Sequence, residues 1–183
     1  MGRLTDIANY HTVDKGTEYY EKHGYTELYD KYIPEKGKFT LLEIGVWHGD
    51  SMRMWEEYNP ELVIHGVDID PNVRNYIHSS DKSIIHIGDQ SNKEFMEDVI
   101  VSSGAPHFII DDGSHQHDHI VASFKILWDY LRAGGFYFIE DLHASYARRD
   151  DTVKAIVDWL VTNDKKYSFL DLACGGKMLI IQK

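Results

Sequence analysis

Leu42-Glu43-Ile44-Gly45-Val46-Trp47-His48-Gly49-Asp50-Ser51 runs from a β-type apolar stretch into a turn with two glycines and out into a segment of helical spacing. Glycine accepts the positive φ of a sharp turn and lets backbone approach a ligand closely. Gly45 and Gly49 therefore read as a strand-to-helix turn built around a ligand. A dinucleotide fold asks for G-x-G-x-x-G, with a pyrophosphate on the helix N-terminus. Here Trp47 and Asp50 stand where the second and third glycines belong. Asp50 would repel a pyrophosphate while serving as an N-cap or dipole partner, so the turn favours a ligand without phosphates.

Outward from this turn, β-type runs alternate with polar or helical segments. Phe39–Ile44, Val63–Asp68, Ser83–Ile87, His107–Asp111 and Phe136–Glu140 read as strands. Met52 and Trp55, then Phe95, Val99 and Ile100, then Ile120, Phe124, Leu127, Trp128 and Leu131 carry helix-like spacing between them. Strands alternating with helices predict an α/β fold, a Rossmann-like, doubly wound, mostly parallel sheet. Tyr167–Leu172 and Met178–Gln182, joined across Gly175-Gly176, add an antiparallel C-terminal hairpin and bring the expected sheet to seven strands. Residues 1–36, polar and rich in tyrosine (Tyr19, Tyr20, Tyr25, Tyr29, Tyr32), read as a cap of one or two short helices over the domain of residues 37–183.

Composition narrows the function. With 19 basic and 30 acidic residues the formal charge is −11, and the basic residues cluster only in the short pairs Arg148-Arg149 and Lys165-Lys166, with no basic stripe. Nucleic acid needs Lys and Arg to displace condensed counterions, so a small molecule is the expected partner. No stretch approaches the roughly 20 apolar residues of a membrane span, and the start shows neither a leader pattern nor, with Asp6 at the usual Ser/Thr position, a myristoylation signal. The lone Cys174 fits a reducing compartment, and a cytoplasmic location is expected. The Trp and Tyr content makes a homodimer an open expectation.

In open α/β sheets ligands bind beyond the carboxyl ends of the strands, and these exits are rich in acids. Asp68 stands about 20 residues after the glycine turn, where an acid can accept hydrogen bonds from ribose hydroxyls. Asp70, directly before Pro71, suits a helix cap instead. The third strand runs into Gly88-Asp89-Gln90, whose side chains could reach an adenine amino group. The fourth exits through Asp111-Asp112-Gly113-Ser114-His115 and the fifth through Glu140-Asp141. Asp112, Glu140 and Asp141 then converge, and an all-oxygen set of acids suits Mg²⁺. His115, three residues beyond Asp112, is the candidate base, an imidazole being able to take a proton near neutral pH. A zinc site from Asp112 with His115 and His119, the two histidines sharing a helix face, is the rival; it leaves Glu140 and Asp141 idle.

The strand acid Glu43, the spaced glycines, Asp68 and Asp89 resemble the cofactor half of a class I S-adenosylmethionine methyltransferase, and the stretch from Leu42 to Ser51 resembles the first motif of catechol-type O-methyltransferases. GDQSN (residues 88–92), the segment from Phe108 through Leu142 with its D-D-G-S-H and E-D, DKG (Asp14–Gly16) and HGYTELYDKY (His23–Tyr32) resemble the macrocin and mycinamicin sugar O-methyltransferases over nearly the whole chain. The resemblance implies S-adenosylmethionine held by Glu43, Gly45, Gly49, Ser51, Asp68, Asp89, Gln90 and Asp111. It also implies Mg²⁺ at Asp112, Glu140 and Asp141, His115 as general base, and a sugar hydroxyl as acceptor. In the catechol type a lysine stands where His115 stands here, and an Asn where Asp141 stands. A phenolic acceptor, a binding domain without catalysis, and a nicotinamide oxidoreductase are the competing functions.

Overall fold

A computed structural model of the chain describes residues 2–19, 22–76 and 83–183; Tyr20 lies outside them. Seven strands among these residues form one sheet: β1 (Thr40–Ile44), β2 (Val63–Asp68), β3 (Ser83–Ile87), β4 (Phe108–Asp111), β5 (Phe136–Ile139), β6 (Phe169–Ala173) and β7 (Met178–Gln182). Their order is β3-β2-β1-β4-β5-β7-β6. The first five are parallel, and β7 runs antiparallel to both β5 and β6. Leu42 of β1 sits level with His65 of β2 on one side and Ile109 of β4 on the other. The strand order reverses between β1 and β4, so their exits open the crevice where this architecture binds ligands.

Alternation along each strand divides the core in two. Leu41, Ile110 and Phe138 face one cluster, and their neighbours Leu42, Ile109 and Tyr137 face the other. The second cluster is covered by α4 (Lys93–Ser103), α5 (His117–Leu127) and α6 (Arg149–Thr162). The first is filled by α3 (Asp50–Tyr58) and by the N-terminal helices α1 (Arg3–Tyr10) and α2 (Thr26–Tyr32), whose Leu4, Ile7 and Tyr29, with Tyr25 just before α2, pack with Trp55 and Tyr58. Tyr29 meets Trp55 at 5.3 Å and Phe138 at 4.9 Å, both edge to face. Such pairs contribute about 0.5–1.5 kcal/mol each beyond their burial.

Local chemistry sets the helix ends. Asn92 accepts from Phe95 N at 3.1 Å and starts α4, and Gly104 stops it with φ 69°. Asp70 accepts from Asn72 N at 2.9 Å with Pro71 behind it, the cap its position predicts, although the turn is a short 3₁₀ helix (Pro71–Asn75). Several strand limits differ from expectation: β1 begins at Thr40, β4 at Phe108 and β6 at Phe169, while β5 ends at Ile139. Helix α6 had no place in the sequence reading. Of its 14 residues only Thr152, Ile156 and Leu160 are buried, a stripe too narrow to stand out. No helix among the described residues is long and apolar enough to cross a membrane.

Candidate active site

A cavity of about 850 Å³ lies over the exits of the parallel strands, within the usual range of ligand pockets. Its walls are segments 44–48, 67–70, 88–90 and 112–116 with Asp141, and residues 12–15 and Tyr19 of the N-terminal segment close it. Trp47, His115 and Asp141 all line it with positive φ (48°, 55° and 54°). Non-glycine residues in that region cost on the order of 1–3 kcal/mol each and gather at functional sites.

The glycine turn is shaped by its neighbours. A Cβ on Gly45 (φ 91°) would collide with the carbonyl of Asp112, so this glycine lets two strand exits pack closely at the cavity wall. Gly49 takes φ 73° just before α3. Asp68 Oδ2 accepts from Val46 N at 2.9 Å and Trp47 N at 3.0 Å, and Oδ1 from Asp70 N at 2.9 Å. A carboxylate offers about four acceptor positions, so Asp68 folds the turn with three of them and lines the cavity. Asp89 binds Ser91 N and Oγ at 2.8 Å, which holds its carboxyl below the ordinary value. Gln90 bridges two exits: Nε2 donates to Asp111 Oδ1 at 3.0 Å, and Oε1 accepts from Ser114 N at 2.8 Å.

Two residues expected at the cofactor lie behind the wall. Asp111 is buried and held by Gln90 and by Ser123 Oγ at 2.5 Å; burial raises its carboxyl, against both hydrogen bonds. Glu43 is likewise buried, accepts from Trp55 Nε1 at 2.9 Å and faces Lys15 Nζ at 3.6 Å. Burial pushes it up to about 7 despite the lysine. Neither lines the cavity, whereas Ser51 does.

The predicted metal acids divide in the same way. Asp112 and Asp141 line the cavity, and with His115 each offers a ligand atom within 4.8 Å of the others. His115 Nε2 stands 3.8 Å from Asp112 Oδ1 and 3.8 Å from Asp141 Oδ2. Glu140, 1% exposed, accepts from Tyr29 OH and, at 2.8 Å, from Lys15 Nζ. Burial and then Asp112 raise its carboxyl well above the usual range, against Lys15. Asp112 is raised by burial and eased by Lys15. Asp141 is lowered: burial opposes ionisation, but Tyr25 OH donating at 2.7 Å, His23, His115 and Lys15 outweigh it. Two carboxylates open to the cavity fit a hard, oxygen-seeking cation such as Mg²⁺, which keeps several waters beside one or two acids.

Sequence reasoning passed over Lys15. Its Nζ is buried against Asp112, Glu140 and Glu43, and these acids with Asp14 raise the ammonium well above its ordinary value although burial, the largest influence, lowers it. The signal was DKG, set apart as a motif but given no task. The rival zinc face is not formed. His115 precedes α5, which begins at His117, and His119 Nδ1 lies 3.0 Å from Ser114 Oγ. Among the described residues His119 belongs to no cluster of metal-ligating side chains.

Residues 42–142, more than half of the chain, match the family described as a methyltransferase domain. Over 134 residues the chain is 35% identical to mycinamicin VI 2''-O-methyltransferase of Micromonospora griseorubida, covering 68% of this chain and 33% of that protein. It is 33% identical over 166 residues to 8-demethyl-8-alpha-L-rhamnosyl tetracenomycin-C 2'-O-methyltransferase of Streptomyces olivaceus, covering 79% and 43%. The chain thus spans a third to two fifths of these relatives' length. Its fold matches that of the MycE methyltransferase of the mycinamycin pathway, solved with Mg, SAH and mycinamycin VI, at a TM-score of 0.82 and 24% identity, over 98% of this chain and 53% of that one. The chain belongs to the methyltransferase-domain family.

Proposed function

We propose that the chain is a Mg²⁺-dependent O-methyltransferase that carries a methyl group from S-adenosylmethionine to a hydroxyl on the sugar of a glycosylated natural product. The observation that carries this is one cavity with Asp68 and Asp89 toward one side and Asp112, His115 and Asp141 toward the other. Further support comes from relatives named for methylating sugar hydroxyls. In this proposal residues 37–183 form the methyltransferase domain and residues 1–36 its cap. Asp68, Asp89 and the turn of Gly45 and Gly49 hold the cofactor; Glu43, Gln90 and Asp111 brace the wall behind it, and Ser51 completes the helix start. When bound, S-adenosylmethionine supplies a methyl on a sulfonium, and Mg²⁺ lowers the pKa of the hydroxyl it polarises.

Asp112 and Asp141 hold the cation, with Glu140 behind them linking Lys15 and Tyr29. His115 Nε2, beside both cavity acids, takes the hydroxyl proton; a placed base of this kind contributes about 10²–10⁴ in rate. The closing segment 12–19 keeps water from the reacting atoms and aligns acceptor with donor. A net charge of −11 favours a neutral or cation-bridged acceptor over nucleic acid, in a cytoplasmic enzyme that can pair as a homodimer.

Calorimetric titration of S-adenosylhomocysteine, with and without Mg²⁺, tests the proposal, followed by a panel of glycosides. Cofactor binding in both buffers is expected, with Mg²⁺-dependent turnover that Asp112→Asn abolishes while cofactor affinity stays within about threefold. No cofactor binding, or full turnover by Asp112→Asn, defeats it.

A further inference from the structure

Asp141 faces two groups of side chains, one with each oxygen. Oδ2 looks toward His115 and the cavity. Oδ1 lies 3.8 Å from His23 Nε2 and 3.8 Å from His143 Nδ1. The His23 and His143 rings stand 5.7 Å apart, centroid to centroid, and the three ligand atoms fall within 4.8 Å of one another. From these distances we infer that His23, Asp141 and His143 form a second cation site, on the outer side of the carboxylate, that takes a borderline transition ion such as Zn²⁺.

Four arguments carry the inference. Zn²⁺ bonds to imidazole nitrogen and carboxylate oxygen at about 2.0–2.2 Å in a tetrahedron, which sets ligand atoms about 3.3 Å apart. Distances of 3.8 Å close to that value with small side-chain rotations. Two imidazoles and one carboxylate select Zn²⁺ over Mg²⁺, which wants oxygen throughout. Outer-sphere groups already aim the ligands, as metal sites require: His23 stacks on Tyr25 at 4.9 Å with planes 5° apart, and Tyr25 OH donates to Asp141 Oδ1 at 2.7 Å. Finally, His23 is buried while His143 is exposed, so the fourth position opens toward water and the ion has an entry path.

The ligands come from distant parts of the chain. His23 lies just before α2 in the N-terminal segment of the chain, while Asp141 and His143 follow β5. A Zn²⁺ ion there staples that segment to the sheet. The inference goes beyond the proposed activity and shares only Asp141 with it.

The test uses the untagged full chain, freed of metal by chelation and kept in excess Mg²⁺. Titration with Zn²⁺ is expected to show one ion per chain that Mg²⁺ does not displace, together with a rise in Tm, since an ion bound only by the folded state stabilises it. His143→Ala should weaken Zn²⁺ binding and Tyr25→Phe should do so to a lesser degree, each by about tenfold or more, with the Tm rise lost in the first. Asp112→Asn should leave Zn²⁺ binding in place. Equal Zn²⁺ affinity in wild type and His143→Ala overturns the inference, as does displacement of the ion by Mg²⁺ or its loss in Asp112→Asn. If Mg²⁺ binds and Zn²⁺ does not, this site alone is refuted; if neither binds, the Mg²⁺ reading of Asp112 falls with it.

Discussion

Lys15 brings one positive charge into a wall of carboxylates. Its ammonium contacts Asp112 and Glu140 and faces Glu43, so it opposes, without cancelling, the burial that raises their carboxyls. Removing one partner of a buried ion pair costs about 3–5 kcal/mol because the other charges are left behind. Lys15→Met is therefore expected to lower Tm by roughly 10 °C or more in this size of protein, and Mg²⁺ should restore more Tm in the variant than it adds to the wild type. Thermal melts of both proteins with and without Mg²⁺ decide this; equal Mg²⁺ effects would show that lysine and cation act on separate charges. At this scale the sequence was partly legible. Acids at strand exits announce themselves by position, so Asp68, Asp112 and Asp141 were found. A lysine 97 and 125 residues from Asp112 and Glu140 leaves no local pattern, and Asp111 looks the same as Asp112 until the alternation of β4 turns one inward.

Strands were easier to read than loops because a buried parallel strand is a short apolar run with turns at both ends. Val63–Asp68, Ser83–Ile87 and Met178–Gln182 match to the residue. Helix α6 escaped because its apolar stripe is thin, and the rival zinc face fails because His115, which precedes α5, adopts φ 55°. Pairing of β2 with β3 adds a feature that periodicity does not disclose. His65 Nδ1 and His86 Nε2 lie 3.0 Å apart with rings nearly parallel. Burial, then the neighbouring histidine, lowers His65 to about 4, and burial, then Arg74, lowers His86. A lowered folded-state pKa means that the unfolded chain binds the proton more readily. The stability from this pair is thus full above about pH 6.5 and lost as pH falls toward 4, a loss of roughly 3 kcal/mol for His65. Urea unfolding of wild type and His65→Phe between pH 7 and 4.5 should show a steeper decline in the wild type; parallel curves would remove the pair as the cause.

Across the whole molecule, the N-terminal segment is as much a part of the site as the sheet is. Tyr29 OH reaches Glu140, Tyr25 OH reaches Asp141 and Lys15 reaches both Asp112 and Glu140, over sequence separations of 111, 116, 97 and 125 residues. Reading residues 1–36 as a cap did not foresee that the side chains of Lys15, Tyr25 and Tyr29 enter the polar wall. Contacts of such range carry a high loop-closure cost and tend to form after local ones. Tyr29→Phe should accordingly speed unfolding by roughly fivefold, the worth of a buried hydrogen bond, and leave the folding rate nearly unchanged. Stopped-flow folding and unfolding limbs measure both; a slowed folding rate would place Tyr29 in the nucleus instead.

The separation also has a meaning in time. A ribosome releases Lys15, Tyr25 and Tyr29 well before Glu140 and Asp141, at a pace of about 5–20 residues per second. For several seconds the nascent chain holds an aromatic, charged segment whose partners have not been made. The cavity therefore cannot close until the growing polypeptide has passed β5 and its exit, and a pause in translation before β5 prolongs the interval in which that segment is open to chaperones and proteases.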